Sequence, residues 1–224
     1  MTRPANVSNL LLHNVPLFAG LDEAQLSVLA NVVTRKSFGR NARIIGAGDP
    51  TDSLYIIIDG RVKVLMSDEQ GREVILSVLG RGEFFGEMGL LDDSPRSATV
   101  VALEPCELLG ISKIDFKRSL AENFDLSLMV MRGLVKRLRE ADRKIGSLAL
   151  MDVYGRVARL LLEMSEDVDG EKMVVRKISK QDIAKMIGAS REMVSRVMKD
   201  LQLGGYIEVR GHSIVLHENI LLAE

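Results

Sequence analysis

Between Lys36 and about Ile111 apolar residues come in short runs separated by glycine and polar residues. Ala42 to Ile45, Leu54 to Ile58, Val62 to Met66, Val74 to Leu79, Thr99 to Leu103 and Leu108 to Ile111 are rich in Val and Ile. Runs of this length and make-up, spaced by turn residues, predict β-strands of a closed or sandwiched sheet. Asp59-Gly60 lies between two of them. Asp-Gly accepts the positive φ of a tight turn, so Tyr55 to Ile58 and Val62 to Leu65 are expected to pair antiparallel. Gln70-Gly71 marks a second turn. Ahead of the strands, Leu10 to Val33 has a helical pattern, with Asp22 as N-cap for the helix through Gln25, Leu26, Leu29 and Val32.

After the strands, Asp115 to Asp152 has no proline and almost no glycine. Leu128, Met131, Val135, Leu138, Asp142, Ile145 and Ala149 follow one another at alternating steps of 3 and 4 residues. That is a heptad seam, the mark of a long helix packed on a partner helix. Arg132, Lys136, Arg137, Arg139, Arg143 and Lys144 make the remaining surface strongly charged, which favours a parallel homodimer. The alternative is a stripe that packs on the chain's own β-domain. Asp142 interrupts the seam, and three roles stay open for it: fixing register, pairing with Arg139 or Arg143, or facing a ligand across the dimer axis.

The texture changes again near Val153. Arg156 to Met164 reads as an amphipathic helix and Ser165 to Gly170 as an acidic loop. Ser179 then caps a short helix, with Asp182 three residues on in a variant of the capping box. Ile183, Ala184 and Ile187 form its buried face and Gly188 the turn. Ser190 caps a second helix from Arg191 to Leu201, whose apolar side is Val194, Val197, Met198 and Leu201. Arg191, Glu192, Ser195 and Arg196 share the opposite face. This is the layout of a DNA recognition helix, since arginine can bind guanine O6 and N7 and glutamate can accept from cytosine N4. Ser179, Gln181, Ser190 and Lys199 complete the candidate DNA-contacting set. Ile207 to Val209 and Ser213 to Leu216, joined by Arg210-Gly211-His212, look like a winged hairpin. The domain boundaries expected are 1–114, 115–152 and 153–224.

Charge sharpens this picture locally and composition narrows the chemistry. The whole chain has 30 basic and 31 acidic residues, yet from Arg176 to His212 there are eight Lys or Arg against four Asp or Glu. Such an excess suits a phosphate backbone. A single cysteine rules out a disulfide framework, an all-cysteine zinc site and a self-contained iron–sulfur cluster. His13, His212 and His217 leave the β-region without histidine, which removes His-based catalysis and multi-His metal sites there and argues against a cupin-type metalloenzyme; the chain is expected not to be an enzyme. No apolar run approaches the roughly 20 residues of a membrane span. Met1 to Val15 lacks the features of a signal peptide, so the chain is expected to be cytoplasmic, with no membrane partner.

One segment remains: Phe84-Phe85-Gly86-Glu87-Met88-Gly89-Leu90-Leu91, leading through Asp92 to Pro95 into Arg96-Ser97-Ala98-Thr99. Glycines at 86 and 89 let a backbone approach a ligand, and a short helix begun there offers amides to an anion. Arg96 can fork onto phosphate oxygens, Ser97 adds a hydroxyl donor, and Glu87 suits a sugar hydroxyl. A plain Glu87–Arg96 ion pair is the alternative.

With "GEMGLLDDSPRSAT", the long dimer helix and "ISKQDIAKMIGASREMVSRVMKDL" in this order, almost the entire chain resembles the cAMP receptor protein/FNR family of bacterial transcription regulators. The resemblance implies an α+β chain: an N-terminal cyclic-nucleotide-binding jelly roll (β-roll) with flanking helices, a long dimerisation helix and a C-terminal winged helix–turn–helix. Glu87 would hold a ribose hydroxyl, and Arg96 and Ser97 the phosphate, helped by backbone at Gly86 and Ala98. Arg191, Glu192 and Arg196 would read a half-site similar to TGTGA, and Ser195 is similar to the FNR-like version. Promoter DNA, a second copy of the chain and RNA polymerase are the partners implied. There is no N-terminal cysteine cluster, so oxygen sensing by an iron–sulfur cluster is not expected, and with no histidine in the β-region neither is haem. The family's adenine-binding Thr-Ser pair falls, through "KIGSLALMDV", on Ala141 and Asp142. Asp142 can accept from adenine N6, which keeps cAMP as the leading effector. A carboxylate also suits the N1–H and N2–H₂ of guanine, which points to cyclic di-GMP or cGMP. A ligand-independent regulator is the third reading.

Overall fold

The structure, a computed structural model, describes residues 12–13, 15–217 and 220. The chain divides into two compact units, Met1–Arg137 and Leu138–Glu224, and the division falls inside a long helix, Phe124–Leu150.

The first unit holds eight strands: β1 (Thr34–Phe38), β2 (Arg43–Ile45), β3 (Ser53–Asp59), β4 (Val62–Ser67), β5 (Glu73–Leu79), β6 (Phe84–Phe85), β7 (Thr99–Ala102) and β8 (Cys106–Ser112). They form two antiparallel sheets in the orders β1-β8-β3-β6 and β2-β7-β4-β5. Successive side chains of a strand point to opposite faces. In β3, Leu54 and Ile56 lie opposite Ile111 and Leu109 and join a core with Phe84, Phe116, Leu126 and Val130. Tyr55 and Ile57 turn the other way, into a core with Val62, Leu79, Phe85, Val100 and Leu108. An unbroken apolar run is therefore what this strand requires, because both of its faces are covered.

Asp59-Gly60 makes a turn, with Gly60 at φ 85°, but β3 and β4 do not pair. This corrects the expected hairpin. β3 has both edges taken by β8 and β6, and β4 by β5 and β7, so the chain leaves one sheet and enters the other at Gly60. The crossing is tight: a Cβ at residue 60 would lie 2.5 Å from the carbonyl oxygen of Pro105. Gln70-Gly71 does close the β4–β5 hairpin, with Gly71 at φ 75°.

Helix α1 (Glu23–Val32) begins at Asp22 in a reciprocal capping box with Gln25, both hydrogen bonds being 2.8 Å. The expected helix from Leu10 is not continuous, since Pro16–Phe18 forms a separate 3₁₀ turn. Leu10, Leu11 and Asn14 lie outside the described residues. The helical stretch expected from Asp115 to Asp152 is likewise divided. Besides a short α2 (Met88–Leu91) in the roll, there are α3 (Lys113–Glu122) and α4 (Phe124–Leu150). Between them Asn123 is extended, and its side-chain oxygen accepts from the amide of Leu126 at 2.8 Å, capping α4.

The second unit contains α5 (Val153–Met164), β9 (Glu166–Val168), β10 (Glu171–Val174), α6 (Lys180–Ile187), α7 (Arg191–Leu203), β11 (Ile207–Arg210) and β12 (Ser213–Leu216). Its sheet order is β11-β12-β10-β9. Val157, Leu161, Ile183, Ile187, Val194, Leu201 and Ile207 form its core. The expected acidic loop is a hairpin instead. Asp169 and Gly170 both take positive φ, 53° and 83°, the conformation of a two-residue turn whose twist matches the strands. Ser179 and Ser190 cap α6 and α7 as expected, accepting from the amides of Asp182 and Met193 at 3.0 and 3.1 Å.

Gly188 ends α6 in the left-handed region, φ 64°, and its amide donates to Ala184. A side chain there is strained by about 1 kcal/mol. Gly188→Ala is therefore expected to lower the stability of the second unit by roughly that amount in chemical denaturation, and an unchanged midpoint would overturn this reading of the turn.

Candidate functional site

The segment after β6 is shaped by two glycines. Gly86 has φ 85°, and a Cβ there would lie 2.4 Å from a terminal nitrogen of Arg96. At Gly89 it would lie 2.3 Å from the oxygen of Ser94 and 2.4 Å from Oγ1 of Thr51. Between and beyond these glycines, Glu87 and Arg96 are 2% and 5% exposed, the charged side chains that are buried among the described residues. They do not pair with each other. One terminal nitrogen of Arg96 donates to the carbonyl of Gly86 at 2.8 Å, and the other to the carbonyl of Ser53 at 2.6 Å and to Oδ1 of Asp52 at 3.3 Å. Glu87 takes a hydrogen bond from Arg137 at 2.6 Å. Ser97 is exposed and Ala98 buried at the start of β7. Gly86, Glu87, Arg96, Ser97 and Ala98 thus belong to one folded-over segment. Ala141 and Asp142 are exposed on α4 and belong to the other compact unit.

Arg137 was read from the sequence only as part of a charged helix surface. Its guanidinium lies over the Phe84 ring, 4.8 Å from the centroid, and also donates to the Phe84 carbonyl. The signal that could have found it is Gly133, one turn earlier. A Cβ at 133 would come within 2.9 Å of the Phe84 ring, so the missing side chain lets α4 lie close against β6.

Two further restraints hold the segment in place. The 46–53 loop is pinned to it by hydrogen bonds from the Gly48 amide to the Arg96 carbonyl (2.8 Å), from the Arg96 amide to Asp49 (2.9 Å) and from the Thr51 hydroxyl to Ser94 (2.9 Å). Asp93 takes a left-handed conformation, φ 59°, and its carboxylate meets Lys113 at 2.7 Å and Lys117 at 2.8 Å on α3. Those two ammonium groups hold its pKa down to about 2.

In the second unit Arg191, Glu192, Arg196 and Lys199 are exposed along α7 while Val194, Val197, Met198 and Leu201 are buried. Ser195 is half-buried on the same side, and Ser179, Gln181 and Ser190 are exposed at the starts of α6 and α7. Hydrogen bonds from its own amide and the Ser190 hydroxyl keep the Glu192 carboxyl below the usual range, so it remains an acceptor. Arg210 in the β11–β12 hairpin is held at 2.8 Å by both Glu171 and Glu208, a coupling of the two hairpins. Among the described residues no helix is long and apolar enough to cross a membrane.

Residues 35–123 match the cyclic nucleotide-binding domain family, and residues 155–223 the Crp-like helix-turn-helix domain family. The chain is 38% identical over 190 residues to the cAMP-activated global transcriptional regulator Vfr of Pseudomonas aeruginosa, covering 81% of this chain and 88% of that one. The chain belongs to the cAMP receptor protein/FNR family. This CRP/FNR protein is also 28% identical, over 217 residues, to the CRP-like cAMP-activated global transcriptional regulator of Mycobacterium tuberculosis, with 95% and 97% of the two chains covered. Among solved structures it is similar to the c-di-GMP responsive global regulator CLP of Xanthomonas campestris. There the TM-score is 0.76, the identity 30%, and the coverage 88% of this chain and 99% of that chain. As a CRP/FNR member the protein is a transcription regulator and not an enzyme, with a cyclic-nucleotide-binding domain followed by a DNA-binding helix–turn–helix.

The Asp93 ion pairs should be visible as pH-dependent stability. The folded-state pKa lies below the ordinary carboxyl value of 3.8, so the stabilisation is present above 3.8 and lost as pH falls through about 2. Thermal melts of wild type and Asp93→Asn are expected to differ by a constant gap at neutral pH that closes across that window. A gap that widens on acidification would overturn the assignment.

Proposed function

We propose that the protein is a homodimeric, sequence-specific DNA-binding regulator whose affinity for palindromic promoter sites is set by a cyclic nucleotide, cAMP in the first place. The observation that carries this reading is the burial of Glu87 and Arg96 on one glycine-bounded segment. A buried carboxylate is a ready acceptor for a ribose hydroxyl, and a buried guanidinium is a strong site for a cyclic phosphodiester. Ser97 and the backbone at Gly86 and Ala98 complete the phosphate side. Relatives named as cAMP-activated support adenine as the base. Arg137 ties the sugar acceptor Glu87 to α4, so a ligand that takes over hydrogen bonds of Glu87 changes what anchors the helix. Coupling of this kind is typically worth ~1–3 kcal/mol.

A second reading has its own support. Ala141 and Asp142 stand at the base-recognising position, and Asp142 offers two acceptors to the donor edge of guanine. Together with the likeness to a c-di-GMP responsive regulator, this favours cyclic di-GMP as the alternative effector.

The dimer rests on α4. Met131, Val135, Leu138 and Ile145 are 47%, 48%, 63% and 64% exposed along one stripe, apolar surface that a second copy of the helix would cover. In that dimer Asp142 and its counterpart approach the twofold axis, with Arg139 and Arg143 near to offset the repulsion. Two copies of α7 would enter successive major grooves, with half-site centres about 34 Å apart. Arg191, Glu192 and Arg196 would read bases of a TGTGA-like half-site, with Ser195 beside them, while Ser179, Gln181, Ser190 and Lys199 hold the phosphates. The proposal includes RNA polymerase as a further partner, a cytoplasmic location, and functional divisions at 1–114, 115–152 and 153–224.

Calorimetric titration of nucleotide-stripped protein with cAMP, and in parallel with cyclic di-GMP, tests the effector. Saturable binding of cAMP is expected, and Arg96→Ala should abolish it while leaving the thermal melt cooperative. An Arg96→Ala variant that binds like wild type would overturn the assignment of the Gly86-to-Ala98 segment as the phosphate-binding cassette, and binding of cyclic di-GMP alone would favour the second reading. Sedimentation velocity tests the seam. Leu138→Glu is expected to sediment as a monomer and to lose affinity for a palindromic site, and a dimeric Leu138→Glu protein would remove α4 from the interface.

A further inference from the structure

Arg96 raises a question of charge that the nucleotide alone does not answer. Its side chain is 3% exposed, and a buried cation needs a counter-charge as well as hydrogen bonds. Two of its contacts, the carbonyls of Gly86 and Ser53, are neutral acceptors. Glu87, the buried carboxylate on the same segment, is engaged by Arg137. The carboxylate that meets Arg96 is Asp52, 3.3 Å away and 83% exposed.

Asp52 is also held where it stands. The Ser53 hydroxyl donates to its Oδ1 at 2.8 Å, the same oxygen that faces Arg96. Its carbonyl accepts from the amide of Lys113 at 2.8 Å, at the start of α3. A short loop between β2 and β3 thus carries a carboxylate to the guanidinium and fixes it from two sides.

We propose that Asp52 is a built-in counter-anion for Arg96 that sets the affinity of the nucleotide site. This rests on the cassette reading above. A cyclic phosphodiester bound by Arg96 brings a second negative charge to a guanidinium that already has one. The exposed carboxylate then opposes the phosphate, weakening the site and tuning it to a higher effector concentration. At a separation of about 6 Å, in surroundings between protein surface and water, one such charge changes affinity roughly three- to tenfold. Because Asp52 is exposed, salt should screen the effect.

Asp52→Asn keeps the acceptor oxygen for Ser53 and Arg96 and removes only the charge. Wild type, Asp52→Asn and Arg96→Ala are titrated with cAMP and with cyclic di-GMP, at low and at high salt, and with the uncharged nucleosides adenosine and guanosine. Asp52→Asn is expected to bind the nucleotide that wild type binds about three to ten times more tightly, with a gap that narrows as salt is raised. Nucleoside binding should not change. Nucleotide binding that appears only in Asp52→Asn supports the inference equally. Equal or weaker binding by Asp52→Asn would overturn it, and so would an equal gain for the nucleosides. In those cases, loss of binding in Arg96→Ala leaves the cassette reading standing. If neither wild type nor Asp52→Asn binds either nucleotide, the cassette reading falls and this inference falls with it.

Discussion

The arrangement of the first unit depends on keeping two opposite charges, Glu87 and Arg96, inside a β-roll without pairing them to each other. A buried charge is costly unless its hydrogen bonds and counter-charge are supplied locally. The surrounding chain supplies them. Gly86 opens its carbonyl to Arg96, the 46–53 loop brings Ser53 and Asp52, and α4 brings Arg137 to Glu87. Asp93 ties the same segment to α3 through Lys113 and Lys117. The cassette is therefore restrained on several sides, which lowers the ordering cost of binding an anion there.

Helix α4 joins this restraint to the rest of the protein. Leu126, Val130, Gly133 and Arg137, at steps of four and three, face the roll. Met131, Val135 and Leu138, at steps of four and three from one another, stay exposed. The part of α4 in the first unit thus carries one face committed to the roll and a second on which Met131 and Val135 are exposed. The arginine that meets Glu87 lies between two residues of that second stripe's last turns.

The DNA-binding unit is governed by local rules. Serine caps start both of its short helices, a left-handed glycine turns between them, and a charged stripe faces away from a compact apolar core. Arg210 is one basic residue whose charge is already matched, by Glu171 and Glu208, so the positive excess of the region lies on α6, α7 and the Arg176-Lys177 segment ahead of them rather than on the hairpin.

Periodicity and local chemistry by themselves determined most of the strands, the Asp22, Ser179 and Ser190 caps, the Gly71 and Gly188 turns and the heptad stripe, and they singled out the glycine-bounded Glu87–Arg96 segment and the charged face of α7. Each of these is decided within a few residues, by the period of a pattern, by the φ a glycine permits or by a side chain reaching its neighbour's amide. Tertiary structure alone decided which strands pair. Asp59-Gly60 had the chemistry of a hairpin, but β3 found both of its partners far along the chain, and the turn became a crossing between sheets. Polar β1 carried no pattern to be seen in advance, because pairing with β8 and not side-chain burial makes it a strand, and β6, although both of its phenylalanines are buried, is only two residues long. The partners of the buried charges were hidden for the same reason. Arg137 is 50 residues from Glu87 and Asp52 is 44 from Arg96, and no local rule connects residues that meet only because sheets and helices close over them.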